Sequence, residues 1–244
     1  MAQKSSPTEY LYGLNPAFEC LKAERRKIFQ VYINTKSAHM GRIKVLANRF
    51  KEKAIPVEWT DKGRLHQLTG STEHQNVVLK VSRYPYVGHA DLLEKPRLLL
   101  LDNVEDPHNV GAILRSAEVF GFHGVFLPIK GVPEVYPSVS KVSAGAVEFL
   151  PIAHDCNANT YVQTALEYGY HVASLDAKGK VPLDDLASQA PEKLLLVIGG
   201  EDKGVGQFII NSSDSVLSLP QSGKINSLNA SVAAGIAMYA LRGR

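Results

Sequence analysis

Three stretches of the chain gather polar side chains where a fold can aim them at a ligand. The first is DNVEDPHNVGAILRSAEVFGFHGV (102–125), in which an apolar run ends in polar residues, Pro107 starts a turn and a helix begins beside Asn109. Open α/β sheets bind ligands outside the carboxyl ends of their strands, which is where this reading puts Asn109. Arg115 follows six residues on, near Ile113, Leu114 and Phe120. A guanidinium in that setting needs a partner or an anionic ligand, unless it snorkels to solvent or pairs with Glu118.

The second stretch, LLLVIGGEDKGVG (194–206), places four glycines after the most apolar run of the chain. It is either a tight turn or a loop whose backbone comes close to a ligand. No GK[ST] follows, so it is not a Walker loop, and its position and surroundings make a poor dinucleotide fingerprint. Glu201 and Asp202 suit a positive charge or a ribose hydroxyl better than a phosphate. The third, SLPQSGKINSLNASVAAGIAMYAL (218–241), runs from a strand through a loop into a helix rich in Ala and Gly. Ser227 and Asn229 stand at the helix start, where free backbone N–H groups await a cap. The small residues Ala230, Ala233, Ala234, Gly235 and Ala237 allow a close helix contact, internal or across a dimer. The eight histidines show no HxxxH or HExxH spacing and no GxSxG elbow occurs, so neither a metal nor a serine nucleophile is expected.

The elements that must position these residues differ in texture along the chain. Up to residue 82 they are short. Asn15-Pro16 opens a helix through Glu24, and IFQVYI (28–33) reads as a strand. Residues 38–53 carry Ile43, Leu46, Ala47 and Phe50 at helical spacing. Strands are expected at 56–59 and 76–82, with a short helix over 61–68 between them. Residues 83–96, with two prolines and a glycine, read as a linker. Beyond it, strands are expected at 97–103, 124–128, 147–152, 170–175, 194–200 and 215–220, with helices over 109–120 and 228–242. Continuous apolar runs such as RLLLLDN argue for a parallel sheet covered on both faces.

Composition sets the outer limits. With 45% hydrophobic and 21% charged residues in 244, and a net charge of +3, the chain has the balance of a folded globular protein. No run approaches the roughly 18 apolar residues of a membrane helix, and the N-terminus lacks the apolar core of a secretory signal. Two cysteines, Cys20 and Cys156, make no disulfide framework, so a reduced, cytoplasmic compartment is expected, and a mitochondrial matrix protein would look the same. Charge is unevenly spread: residues 1–95 carry a balance of +7 and residues 96–244 one of −4. Either the first part meets a polyanion or it has a lysine-rich solvated face.

Taken in order, N(x5)R at 109–115, GGExxGxG at 199–206 and LPxxGxxxSLNxSVAxG at 219–235 form a pattern that resembles the SpoU/TrmH branch of the SPOUT methyltransferases. This covers residues 97–244. YGLNPAFECL and HQNVVLKV resemble the small RNA-binding domain that precedes it in rRNA-modifying members. The resemblance implies an L30e-like α/β RNA-binding domain over 1–82 and a trefoil-knotted α/β SPOUT domain over 97–244, working as a homodimer. Pattern reasoning alone would reject a knot.

The implied activity is S-adenosylmethionine-dependent 2'-O-methylation of a ribose, at a guanosine of large-subunit rRNA or its assembly intermediate. A tRNA substrate, or a non-catalytic rRNA-binding assembly factor of the same fold, are the alternatives; all five polar positions being present favours the enzyme. Carried over residue by residue, cofactor contacts fall on Gly199, Leu219 and Leu228, and active-site positions on Asn109, Arg115, Glu201, Ser227 and Asn229. An arginine is a poor base, so holding a phosphate or a developing alkoxide is the role expected of Arg115. Two departures stand out. The family's HQG reads His74-Gln75-Asn76, in which asparagine still tolerates a left-handed φ, and the valine usual after SLN is Ala230.

Overall fold

A computed structural model describes residues 7–220, 222–223 and 228–243. Two compact units emerge, one formed by residues up to Pro85 with Val135–Phe149, the other by Tyr86–Glu134 and Leu150 onward. No helix among the described residues is long and apolar enough to cross a membrane.

The first unit is a four-stranded sheet with helices on both faces. Its strands β1 (Thr8–Tyr12), β2 (Ile28–Asn34), β3 (Val57–Thr60) and β4 (Val77–Ser82) lie in the order β1-β4-β2-β3. β4 is antiparallel to both neighbours and β2 is parallel to β3. One core joins Leu11, Val31, Ile33 and Leu79 to Ala17 of α1 (Leu14–Ala23) and to Ile43, Leu46 and Phe50 of α2 (Gly41–Glu52). On the opposite face Tyr32 and Val78 bury Leu65 of α3 (Lys62–Thr69), which Asp61 caps through Arg64 N. The sequence reading thus meets its helices and strands within a few residues and misses β1. Gln75 and Asn76 both adopt positive φ, 49° and 68°, and the Asn76 carboxamide accepts from Asn34 Nδ2 at 2.8 Å.

The second unit is a parallel sheet of seven strands. In chain order they are β5 (Arg97–Asp102), β6 (Gly124–Phe126), β7 (Ile152–Ala153), β8 (His171–Leu175), β9 (Val181–Pro182), β10 (Leu194–Gly199) and β11 (Ser215–Ser218). Across the sheet they run β7-β6-β5-β10-β8-β11-β9. Leu98, Leu100, Leu195 and Val197 pack with Tyr161, Val162 and Ala165 of α6 (Ala158–Glu167) and Ile209 of α8 (Gln207–Ser212). Their neighbours Leu99, Leu101 and Leu196 point to the other face and are as fully buried. There α9 (Ala230–Ala240) packs on α4 (Pro107–Val119), α7 (Leu183–Gln189) and β10. The chain moves outward from β5 through β6 to β7, then crosses to β8, and β10 fills the gap. The strand order therefore reverses beside β5 and β10, opening a crevice at their carboxyl ends.

Two readings of the sequence need correction. Residues 147–152 are not a strand: after α5 (Pro137–Val142), Ala146–Glu148 is a 3₁₀ turn, and only Ile152 and Ala153 join the sheet. The alternation of V-E-F-L mimics a strand, but Glu148 is turned inward against Arg26, with its Oε2 3.0 Å from Arg26 Nε, in the first unit. Residues 83–96 are also more than a linker. Tyr84 is buried and its hydroxyl donates to Val147 O at 2.9 Å, while Leu92 and Leu93 sit in the second unit's core.

Candidate functional site

The crevice is built by backbone that only glycine permits. A Cβ on Gly199 would lie 2.4 Å from Gly204 C and Val205 N, and one on Gly200 would lie 1.9 Å from Asn103 O. Both are below any real contact distance, so the loop folds tightly against the end of β5. Hydrogen bonds fix it there. Gly200 N donates to Asp102 O at 2.9 Å, Gly204 N to Gly200 O at 2.9 Å, and Gly206 N to Asp102 Oδ2 at 2.8 Å. Burial raises the Asp102 carboxyl above its ordinary pKa, and the Gly206 amide partly offsets this. Asn103 takes a left-handed turn at φ 56° to leave the strand.

On this loop three polar side chains from three distant segments meet. Glu201 Oε1 accepts from Asn109 Nδ2 at 3.1 Å, Asn229 Nδ2 at 2.6 Å and Ala230 N at 3.4 Å. Asn229 Nδ2 also donates to Asn109 Oδ1 at 3.0 Å. Asn229 is the N-cap of α9, its Oδ1 accepting from Ser231 N and Val232 N. One carboxamide therefore caps a helix with its oxygen and holds the glutamate with its nitrogen. Glu201 Oε2 has no hydrogen bond among the described residues.

The loop separates two hollows. A cavity of about 530 Å³ is lined by Gly199, Leu219 and Leu228 together with Asp176, Asn229 and Ala233. A smaller one of about 180 Å³ is lined by Asn103, Asp106, Asn109 and residues 200–203. Glu201 borders both. The structure thus brings six of the eight residues singled out from sequence to one place. Arg115 is not among them. It stands exposed on α4, six residues beyond Asn109, and forms no ion pair with Glu118. A six-residue step is about 9 Å along a helix and about 120° round it from the Asn109 face. Ser227 lies outside the described residues, and the capping role weighed for it belongs to Asn229.

Sequence reasoning overlooked Asp102, which pins the loop, and Asp176, which lines the larger cavity one residue after β8. A polar residue immediately after a strand of a parallel sheet was the available signal.

An α/β unit with a glycine-walled cavity at a strand-order reversal, bordered by an Asn-Glu-Asn cluster, is the setting in which the comparisons with known proteins fall. The model described as "SpoU rRNA Methylase family" matches residues 96–239, and that described as "RNA 2'-O ribose methyltransferase substrate binding" matches residues 10–87. The chain is 34% identical over 242 residues to the TrmH-family tRNA/rRNA methyltransferase YacO of Bacillus subtilis, covering 96% of this chain and 95% of that one. It is 36% identical over 243 residues to a Mycobacterium avium tRNA/rRNA methyltransferase, covering 97% and 78%. Among solved structures, the AdoMet-bound rRNA methyltransferase of Sinorhizobium meliloti superposes with a TM-score of 0.79 at 20% identity, covering 96% of this chain and 87% of that one. The SpoU methyltransferase AviRb of Streptomyces viridochromogenes superposes at 0.76 and 21%, covering 96% and 89%. These last two likenesses establish the fold. The chain belongs to the SpoU family of RNA methyltransferases.

Proposed function

We propose that the protein transfers the methyl group of S-adenosylmethionine to a ribose 2'-hydroxyl of RNA, at a guanosine of large-subunit rRNA, and does so as a homodimer. The observation that carries the reading is the Asn109–Glu201–Asn229 cluster at the border of the larger cavity. That cavity fits the methyl donor: bare glycine backbone and the aliphatic walls of Leu219 and Leu228 suit a flat adenine, and the Asp176 carboxylate suits ribose hydroxyls or an ammonium group. When bound, the donor supplies an electrophilic methyl on a sulfonium.

The chain's own task is then positioning. Glu201 Oε2 accepts from the incoming ribose, while Asn109 and Asn229 hold that carboxylate in one orientation. The smaller cavity beside Asn109 receives the sugar. Arg115 contributes a guanidinium that holds the adjoining phosphate or the developing alkoxide. Its exposure in the single chain is consistent with a site completed by a second copy. Val119, one turn further along α4, continues into Val232, Ile236 and Tyr239 of α9, an apolar stripe in which each side chain is at least 44% exposed. A second copy covering that stripe draws Arg115 out of solvent.

The first unit supplies RNA affinity. Arg42 with Arg49 and Lys44 with Lys51 each stand seven residues apart on α2, two pairs of cations for RNA phosphates. The test is a ribose-methylation map of RNA from cells with and without the gene. Loss of one large-subunit guanosine methyl group is the expected result; loss at a tRNA position, or no loss, overturns the rRNA assignment or the activity respectively.

A further inference from the structure

The spacing of histidines along the chain excludes a metal motif, yet the fold assembles one from distant residues. His89 Nδ1, Asp155 Oδ2 and Cys156 Sγ all lie within 4.8 Å of one another. His89 Nδ1 is 2.9 Å from Asp155 Oδ2 and 3.6 Å from Cys156 Sγ. A tetrahedral zinc with bonds of about 2.3 Å to sulfur and about 2.05 Å to nitrogen separates those two ligand atoms by about 3.5 Å. The thiol and imidazole therefore already stand at the edge length of such a site. The nitrogen–oxygen pair is at hydrogen-bond length and must open by only a few tenths of an ångström.

Neighbouring groups hold these three side chains in place. Tyr161, wholly buried and stacked on Phe126 at 4.5 Å, donates its hydroxyl to Asp155 Oδ1 at 2.9 Å. The same hydroxyl accepts from Asp155 N at 2.9 Å and Cys156 N at 3.0 Å. The carboxylate is thus turned so that Oδ2 faces the histidine, and the turn carrying the thiol is fixed. His89 is fixed in its turn: His89 N donates to Asp155 Oδ2 at 3.1 Å, and Val87 bridges to Ala153 in β7. Both of the segments by which the chain comes into the second unit, at Tyr86 and again at Leu150, run into this cluster.

We propose that His89, Asp155 and Cys156 bind a thiophilic divalent cation of the zinc type at the β7 edge of the sheet, clamping together the two segments that lead into this unit. Loading moves the imidazole proton to Nε2 and releases the thiol proton, so that nitrogen, carboxylate and thiolate each give one bond. The fourth position opens to solvent and is filled by water. β7 is separated from β10 by β6 and β5, so the cation takes no part in methyl transfer, and the proposal stands or falls independently of the enzymatic reading.

The probe is cobalt(II) titrated into the full chain, followed by the thiolate-to-cobalt charge-transfer absorption. One equivalent per chain is expected, displaced by zinc, with zinc also raising the thermal midpoint. Cys156→Ser should abolish the band and His89→Gln should weaken binding about tenfold or more. Cys20→Ser should leave it intact, because Cys20 is buried in the first unit and its thiol is pushed up to about 12. Absence of a band in the unaltered chain, or one that survives Cys156→Ser, overturns the site. Should the serine variant fail to fold, undiminished cobalt binding by His89→Gln overturns it equally.

Discussion

Each unit organises polar residues around a glutamate, and the two do opposite things with it. In the first, Glu148 and Arg26 are 1% and 4% exposed, and Arg26 also pairs with Glu9. In the second, Glu201 and Asn229 are exposed and Asn109 is half-buried at the lip of a cavity, and one carboxylate oxygen has no hydrogen bond among the described residues. A buried charge has to be answered from within the protein, so its network serves the fold. A solvated cluster costs little to leave incomplete, so its open valence is available to a ligand. The contrast teaches that burial, more than the residue types, separates the structural cluster from the functional one.

The largest effect should come from the buried pair. Glu148→Ala removes the more deeply buried of the two carboxylates that answer Arg26 and leaves Glu9 as its remaining partner, a loss of about 3 kcal/mol, at the low end for breaking a buried pair. Urea denaturation should show it as a fall in midpoint, and a loss below about 1 kcal/mol would mean that Glu9 alone suffices for Arg26. At the open cluster the expected loss is in rate. Arg115→Ala should lower methyl transfer by about 10²–10³-fold, as for removal of a charge-stabilising donor, while donor affinity stays within a few-fold. A collapse in donor affinity, measured by calorimetry, would move Arg115 from the substrate side to the cofactor side. Gly200→Ala tests the wall between the two hollows. Its methyl group has no room beside Asn103 O, so donor affinity should fall about tenfold while the first unit's stability is untouched. Equal donor affinity would show that the loop can step aside.

The same contrast explains what could be read from sequence. β5 and β10 were legible because their leucine runs are buried on both faces, and the polar residues at their ends announced the crevice. Asn109, Glu201 and Asn229 could be singled out by type and order, but not their mutual hydrogen bonds, since 92 and 28 positions separate the bonded pairs. The excursion of 135–149 into the first unit was hidden. Its local pattern imitates a strand, and the residue that claims it, Arg26, lies far back in the chain. One consequence is practical: deleting residues 1–85 removes Arg26 and strips 135–149 of the rest of the unit it packs in. A shortened chain for donor binding must lose 135–149 as well. The His89–Asp155–Cys156 cluster was invisible for the same reason, its members being contributed from either side of that excursion.

Asp102 lies between the two extremes and gives the subtlest test. It is buried like Glu148, yet its carboxylate accepts from Gly206 N in the loop and so shapes the cavity region. Burial raises its pKa above the ordinary carboxylate value, so the folded state holds this proton more tightly than the unfolded chain does. The sign follows from linkage: the folded state binds more protons, so this group's contribution is full below the unfolded pKa and is lost as pH rises through the folded one. Asp102→Asn keeps an oxygen to accept from Gly206 and removes the titration. The stability of the unaltered chain relative to this variant should therefore improve as pH falls through the carboxylate range, by less than any effect above. Urea midpoints at a series of pH values measure it. A difference that ran the other way would mean that the ionised carboxylate is the form the loop prefers, and Asp102 would then belong with the open cluster and not with the buried one.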